Sequence, residues 1–268
     1  MFWAERDDLR EIRALGVRCG QLAIHGGMEL SETAARGWRA ALEREAFTLI
    51  TVFAAYQGES YADAATVQRT VGFIPRAPRG ERERRTREVS DFAAALGVAS
   101  IATHVGFVPE DPSNPDYIAV RDVVRRVCDH AASHGQTFAL ETGQEPAGVL
   151  MEFIHAVDRR NLRINFDPAN MILYGTGDPI EAFRVLAPYV VSVHAKDGDW
   201  PAAPGALGKE RPLGQGAVGM ERLVKALREA AFRGPLNVER EAENQAQRLI
   251  DIRAGIDLLR KLGAAATT

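Results

Sequence analysis

The chain has 268 residues, 46% of them hydrophobic, and a net charge of -3. One substantial core fits in that length, which is close to the roughly 250 residues of a β/α barrel, so a single domain is expected over the whole chain. No basic stripe marks it for nucleic acid, no apolar run approaches the roughly 20 residues of a membrane span, and residues 1–10 carry acids where a signal peptide is apolar. Cys19 and Cys128 match no metal or redox spacing; buried free thiols and a cytoplasmic location are expected.

In chain order, residues 7–15 read as a helix that Gly16 ends, 17–24 as a strand, and 31–45 as a helix that Ser31 can cap. The β-rich run 47–55 is a strand, and 58–78 is a long excursion carrying a short helix. Residues 80–96 form a helix whose charge run 81–87 reads as a solvated face with mutual Glu–Arg pairing. Strand 99–106 and helix 120–134 follow. From there strands 138–141, 163–167, 190–194 and 236–239 alternate with helices 147–158, 179–187, 218–230 and 244–262. Gly135, Gly234 and Gly263 stand where helices should end, and the closing Ala-Ala-Ala-Thr-Thr should fray.

This alternation means parallel strands with helical crossovers. Seven strands are clear, and Phe2-Trp3-Ala4 reads as the remnant of an eighth, so the fold class is α/β, a (β/α)8 TIM barrel with a short first strand. An open doubly wound sheet is the alternative; it places ligands at one switch point, not on four neighbouring strands.

Those four strands share a grammar. Phe-Ala-Leu-Glu141, Ile-Asn-Phe-Asp167, Val-Ser-Val-His194 and Leu-Asn-Val-Glu239 each run large apolar, small or polar, large apolar, ionisable. Period two sends the apolar pair to one face and the other pair to the opposite face. Four metal-capable side chains thus stand at the C-terminal ends of successive strands, where a barrel lets them converge. The plain alternative is three acids and a histidine in separate strand-end salt bridges. Three carboxylates and an imidazole make a hard site, suited to Mn²⁺ or Mg²⁺, with Co²⁺ a substitute.

The motifs Ala-Leu-Glu141-Thr-Gly, Asn-Phe-Asp167-Pro-Ala-Asn, Val-His194-Ala-Lys-Asp197, Pro-Leu-Gly-Gln-Gly216 and Asn-Val-Glu239 resemble those of the xylose isomerase-like TIM-barrel superfamily, often labelled sugar phosphate isomerases/epimerases. The resemblance covers nearly the whole chain. It implies Glu141, Asp167, His194 and Glu239 as metal ligands, with Glu141 and Glu239 also the acid–base pair. The implied reaction is isomerisation or epimerisation of a sugar or polyol ketone through a metal-stabilised enediolate. An inosose-type dehydratase and a non-catalytic sugar- or metal-binding barrel are the alternatives. The chain departs from the family at Asn170, where the epimerases and the endonuclease IV relatives carry a histidine. Endonuclease IV also needs several further histidines, and this chain has only six in all.

Further substrate-binding candidates are His104, Asn170, Lys196, Trp200 and Phe107. His104 ends its strand with inward parity, and a packing histidine is the rival reading. Lys196 can hold a hydroxyl or carboxylate, or pair with Asp197 or Asp199. Trp200 and Phe107 can stack on a sugar or pack a lid. His25 reads as loop structure, and Arg240 has the wrong parity. The loop 198–218 reads as a lid or rim. The expected partner is a small-molecule sugar or polyol, not nucleic acid or a membrane; a homo-oligomer is compatible with the sequence.

Overall fold

The computed structural model describes residues 1–203 and 205–263, so the tail expected to fray lies outside the described residues. The chain opens with β1 (Phe2–Trp3), α1 (Leu9–Ala14), β2 (Cys19–Ile24), α2 (Glu32–Arg44) and β3 (Thr48–Ala54). Next come α3 (Ala64–Thr70), α4 (Arg79–Ala95), β4 (Ser100–His104), α5 (Pro115–Ser133), β5 (Thr137–Glu141) and α6 (Ala147–Val157). Then follow β6 (Leu162–Phe166), α7 (Pro168–Tyr174), α8 (Pro179–Leu186), β7 (Val190–Ala195), β8 (Asp197–Asp199), β9 (Lys209–Arg211), α9 (Met220–Glu229), β10 (Leu236–Val238) and α10 (Gln245–Lys261). Eight strands lie in the order β1-β2-β3-β4-β5-β6-β7-β10, the order of a (β/α)8 barrel with its first strand cut to two residues. No described helix is long and apolar enough to cross a membrane.

The chain packs as two compact units, one made of Phe2–Glu141 with Glu152–Arg163, the other of Met1, Thr142–Met151 and Ile164 onward. In the first, β1 to β5 pair in parallel, with Phe2 opposite Leu22, Val52 opposite Ile101 and His104 opposite Glu141. Phe138 and Leu140 are fully buried, as the apolar parity of β5 requires. The charge run is not wholly solvated. Arg82 is buried, donating to Gly72 O at 2.6 Å and lying over the Tyr56 ring. Arg87 does pair with Glu83 at 2.5 Å, and Arg126 of α5 joins them. Cys128 is buried, which pushes its thiol up to about 12, whereas Cys19 is only half-buried, so the expectation of two buried thiols holds for one.

In the second unit β6, β7 and β10 pair in parallel. A bulge between Ile164 and Asn165 shifts the β6–β7 register, bringing Asn165 opposite Ser192 and Phe166 opposite Val193. Without it Asn165 would face Val191, and the polar and apolar faces of the two strands would be out of step. The bulge therefore keeps Asn165, Asp167, Ser192 and His194 on one side. Under β7 and β10, Ala195 packs with Val224 and Leu259, flanked by Leu213, Leu236 and Val238. After α9 the left-handed position is Ala231, at φ 51°, not Gly234 as expected, while Gly135 and Gly263 do take positive φ. The loop 198–218 is not bare: β8 and β9 form an antiparallel ribbon with Asp199 opposite Lys209. Asp197 organises the loop's return by accepting from the backbone N–H groups of Gly198, Gly214 and Val218. A side chain on Gly216 would meet Asp197 Oδ1 at 2.4 Å, which accounts for a glycine there.

Candidate metal centre

Each of the four strand-end groups is held by its local structure. Asp167 follows β6 and caps α7, its Oδ1 accepting from Asn170 N at 2.9 Å. Pro168 at the first helical position suits that start, because its missing N–H costs nothing there. Thr142 Oγ1 accepts from Asp167 N at 2.7 Å and donates to Asp167 O at 3.1 Å, clamping the backbone on both sides. Oδ2 of Asp167 therefore points away from the cap; it lies 3.7 Å from His194 Nδ1 and 3.8 Å from Lys196 Nζ. Glu239, just past β10, brings Oε2 to 2.7 Å from His194 Nδ1 and Oε1 to 3.5 Å from Lys196 Nζ. Ligand atoms of Asp167, His194 and Glu239 all lie within 4.8 Å of one another, and these three and Glu141, at the end of β5, are buried.

Burial opposes charge on Lys196, but Glu239, Glu241 and Asp167 outweigh it and hold the ammonium well above its ordinary range. Burial likewise opposes charge on Glu239, and Lys196 and His194 overcome it, keeping the carboxyl well below the usual carboxylate range. The expected rival pairing of Lys196 with Asp197 or Asp199 is not what forms: Asp197 serves the loop backbone, and Asp199 pairs with Arg211 at 2.6 Å.

The donor set fits a divalent cation on three counts. Asp167 Oδ2 is buried and accepts no hydrogen bond, and Glu239 Oε2 has only the His194 ring beside it, an arrangement costly for carboxylate oxygens unless a cation serves them. Lys196 offsets one of three negative charges, and a divalent cation offsets the other two. The third count is the imidazole. Asn165 Nδ2 stands 3.0 Å from His194 Nε2, while Asn165 Oδ1 bonds Ser192 Oγ, so in this arrangement the ring proton sits on Nδ1 beside Glu239. His194 would hold a cation through Nδ1 once that proton is lost. An Asn165 amide turned over, with Oδ1 accepting from Nε2–H, would then support the ring in that tautomer.

Of the other candidates, Asn170 is buried and its Nδ2 lies 3.4 Å from Thr142 O. Gly143, at φ 143°, passes so close to it that a Cβ would stand 2.3 Å from Asn170 Cβ. His104 is half-buried, 3.7 Å from Glu141 Oε2, and its ring lies 5.5 Å from Phe53 and 5.7 Å from Tyr61. Phe107 is half-buried beyond β4, and Trp200 is exposed after β8. Arg240 pairs with Glu210 and Asp251, both at 2.8 Å, in keeping with its parity. The sequence reading missed Thr142, the Asn165–Ser192 pair and the buried Glu145. The first two had a signal: Thr142 follows a ligand candidate directly, and Asn165 and Ser192 are the second members of the strand grammar.

Among curated proteins the chain is similar to YihM, an uncharacterized protein of Escherichia coli K12, with 29% identity over 146 residues. That match covers 51% of this chain and only 43% of YihM, less than half of the relative's length. A solved xylose isomerase domain protein from Planctomyces limnophilus is 41% identical, with a TM-score of 0.92 over 97% of this chain and 94% of that one. The probable 3-DHS dehydratase AsbF of Bacillus anthracis shares the fold at 19% identity and TM-score 0.69, covering 94% and 91% of the two chains. A D-psicose 3-epimerase does so at 15% and 0.70, covering 95% and 92%. The xylose isomerase-like TIM barrel family model matches residues 9–262, nearly every strand and helix described above. With the barrel strand order and that match, the chain belongs to the xylose isomerase-like TIM barrel family.

Proposed function

We propose that the chain is one catalytic domain, a divalent-metal-dependent isomerase or epimerase of a free sugar or related polyol ketone. The observation that carries this reading is the buried convergence of Asp167, His194 and Glu239, to which the strand-end Glu141 is the fourth ligand that the family resemblance implies. These four would hold Mn²⁺ or Mg²⁺, with Co²⁺ a substitute, because a set of three carboxylates and one imidazole is hard. When bound, the cation supplies Lewis-acid polarisation of a carbonyl and offsets the charge that proton removal leaves.

The remaining chemistry is the protein's own. Glu239, kept ionised by Lys196 and His194, is a competent base toward a proton α to the carbonyl. Glu141 comes from a different strand and can return the proton to the opposite face, giving the epimer. Return by the same group to the adjacent carbon gives aldose–ketose isomerisation. Lys196 holds a hydroxyl or the developing oxyanion, and Asn170 orients a second hydroxyl. Trp200 and Phe107 serve as rim residues against the sugar face. The partner is a small molecule, with no role for nucleic acid or membrane.

One observation favours a second reading. The His104 imidazole beside Glu141 can protonate a departing β-hydroxyl, which turns the same proton abstraction into dehydration. Proton NMR of sugars and cyclitols in D₂O with Mn²⁺ separates the cases. Solvent deuterium at carbon without loss of water means isomerase or epimerase. A dehydrated product means lyase. No exchange with any member of the panel overturns both and leaves a binding protein.

A further inference from the structure

On the outer helices lies a second constellation that the proposed reaction does not use. Asp91 of α4 and His130 and His134 of α5 and its C-terminus bring three ligand atoms within 4.8 Å of one another. His130 and His134 are four residues apart, one helical turn, so both rings leave the same face of α5. Their centroids are 5.4 Å apart. Both rings direct the same atom to the same target: Nε2 of His130 is 2.7 Å and Nε2 of His134 2.8 Å from Asp91 Oδ1.

We propose that Asp91, His130 and His134 form a second cation site, selective for Zn²⁺ or a similar borderline transition ion. A tetrahedral zinc with ordinary Zn–N and Zn–O distances holds neighbouring ligand atoms about 3.3 Å apart. Each Nε2 stands only about half an ångström nearer to Asp91 Oδ1 than that, and the two ring nitrogens lie within 4.8 Å of each other, so a small withdrawal of Asp91 makes room for the ion. Asp91 is more than half exposed and both histidines are about one-third exposed, so the side chains can make that adjustment and water can complete the coordination. Two imidazoles and one carboxylate are also a softer set than the three carboxylates and one imidazole inside, so the two sites sort ions by type.

The backbone around these residues is pinned. Ser90, next to Asp91, donates to Gln136 Oε1 at 2.6 Å, and Gln136 Nε2 returns bonds to Ser90 O and Val98 O. Ser133 Oγ donates to His130 O at 2.7 Å. Further along the same seam Arg126 grips Glu83 through two bonds, at 2.8 and 2.7 Å. The relation of α4 to α5 is therefore set before any ion arrives, which is what a site with few ligands needs. A bound ion would clip the two helices.

The test is a comparison of wild type with a His130→Ala/His134→Ala variant, and separately with Asp91→Ala. All three proteins are stripped of metal, loaded with saturating Mn²⁺, and titrated calorimetrically with Zn²⁺ at about pH 7.5, above the ordinary imidazole range. Wild type should take one more equivalent of Zn²⁺ than the double variant. Asp91→Ala should weaken that equivalent by at least about tenfold. Zn²⁺ should also raise the melting temperature of wild type more than that of the double variant, because binding to the folded state alone stabilises it. Exchange of Zn²⁺ into the interior site appears equally in all three proteins and cancels in the comparison. Equal stoichiometry in wild type and double variant overturns the proposal. So does an Asp91→Ala protein that keeps wild-type affinity, since two histidines alone would then explain the binding.

Discussion

His194 stands 2.7 Å from Glu239, and His130 stands 2.7 Å from Asp91, yet the two contacts differ in kind. The first pair is wholly buried in a group of carboxylates that Lys196 only partly neutralises. The second is open to water on α4 and α5. Two unit charges 4 Å apart interact by about 1 kcal/mol in bulk water and by about 4 kcal/mol at the effective dielectric of a protein site. Equal distances thus carry unequal consequences. Inside, every charge must be answered and any imbalance becomes chemistry or ion binding. Outside, solvent answers most of it, and the same geometry costs almost nothing to keep or lose until a metal ion is supplied.

The sharpest way to break the contrast is to remove interior acidity without removing shape. Glu239→Gln and Glu141→Gln keep one oxygen for a cation but lose the base, and general acid–base catalysis is worth about 10²–10⁴-fold. Each variant should lose at least about 100-fold in kcat with Mn²⁺ saturating. In an epimerase the two should differ: from a given epimer, one still exchanges the α-hydrogen with D₂O while failing to invert it, and the roles swap from the other epimer. Wild-type turnover in both, with metal bound, would make the glutamates ligands only.

Stability sharpens the same comparison. Lys196→Met strands Asp167 and Glu239 without their ammonium, and breaking one side of a buried ion pair costs about 3–5 kcal/mol. That loss should be large in metal-free protein and mostly reversed by Mn²⁺, which supplies the missing positive charge. His134→Ala, measured the same way without metal, should cost no more than about 1 kcal/mol. Urea denaturation with and without Mn²⁺ reads all four values. A metal-free Lys196→Met protein as stable as wild type would mean the interior carboxylates do not need that cation.

How much of this was legible in the sequence depended on which forces were local. Strand parity is local, so β5, β6, β7 and β10 and the four ligand candidates could be read from alternation alone. Helix starts were read less well, and for one reason. Asn114-Pro115, Asp167-Pro168 and Asp178-Pro179 are all a capping Asx followed by proline at the first helical position, yet only the last coincides with an expected helix start. As a result α5 begins five residues before its expected start at 120, and α7 is not among the expected helices, because its cap Asp167 is also the ionisable end of the β6 pattern. The bulge at Asn165, the burial of Arg82 and the choice of partner for Lys196 depend on other elements arriving, and no local pattern announces them.

A smaller effect tests the boundary of the interior group. Asn170 is buried next to Asp167 and donates its backbone N–H to Oδ1, a bond that alanine keeps. Asn170→Ala should therefore spare metal affinity while raising KM by an amount worth one hydrogen bond, about 0.5–1.5 kcal/mol. Loss of metal in this variant would show that the ligand set extends beyond the four strand-end residues.

The smallest effect belongs to the solvent-facing class. Asp116 in the first turn of α5 is gripped by Arg76 at 2.9 Å and Arg79 at 2.8 Å. Hydrogen bonds from Arg76 and Arg79 bring its carboxyl down to about 2, below the ordinary carboxylate near 3.9. A group depressed in the folded state contributes its stability fully above the unfolded value and loses it as pH falls through the folded one. The gap in urea midpoint between wild type and Asp116→Asn should therefore hold from neutral pH down to about 4 and close progressively toward about 2. The Arg76 side chain is 74% exposed, so the gap should also shrink in about 1 M salt, where screening reaches within about 3 Å. The Mn²⁺ rescue of Lys196→Met should survive the same salt, because buried charges are screened far less. A gap at Asp116 that ignores both acid and salt would place this cluster with the interior group, and exposure would no longer explain the difference between the two kinds of contact.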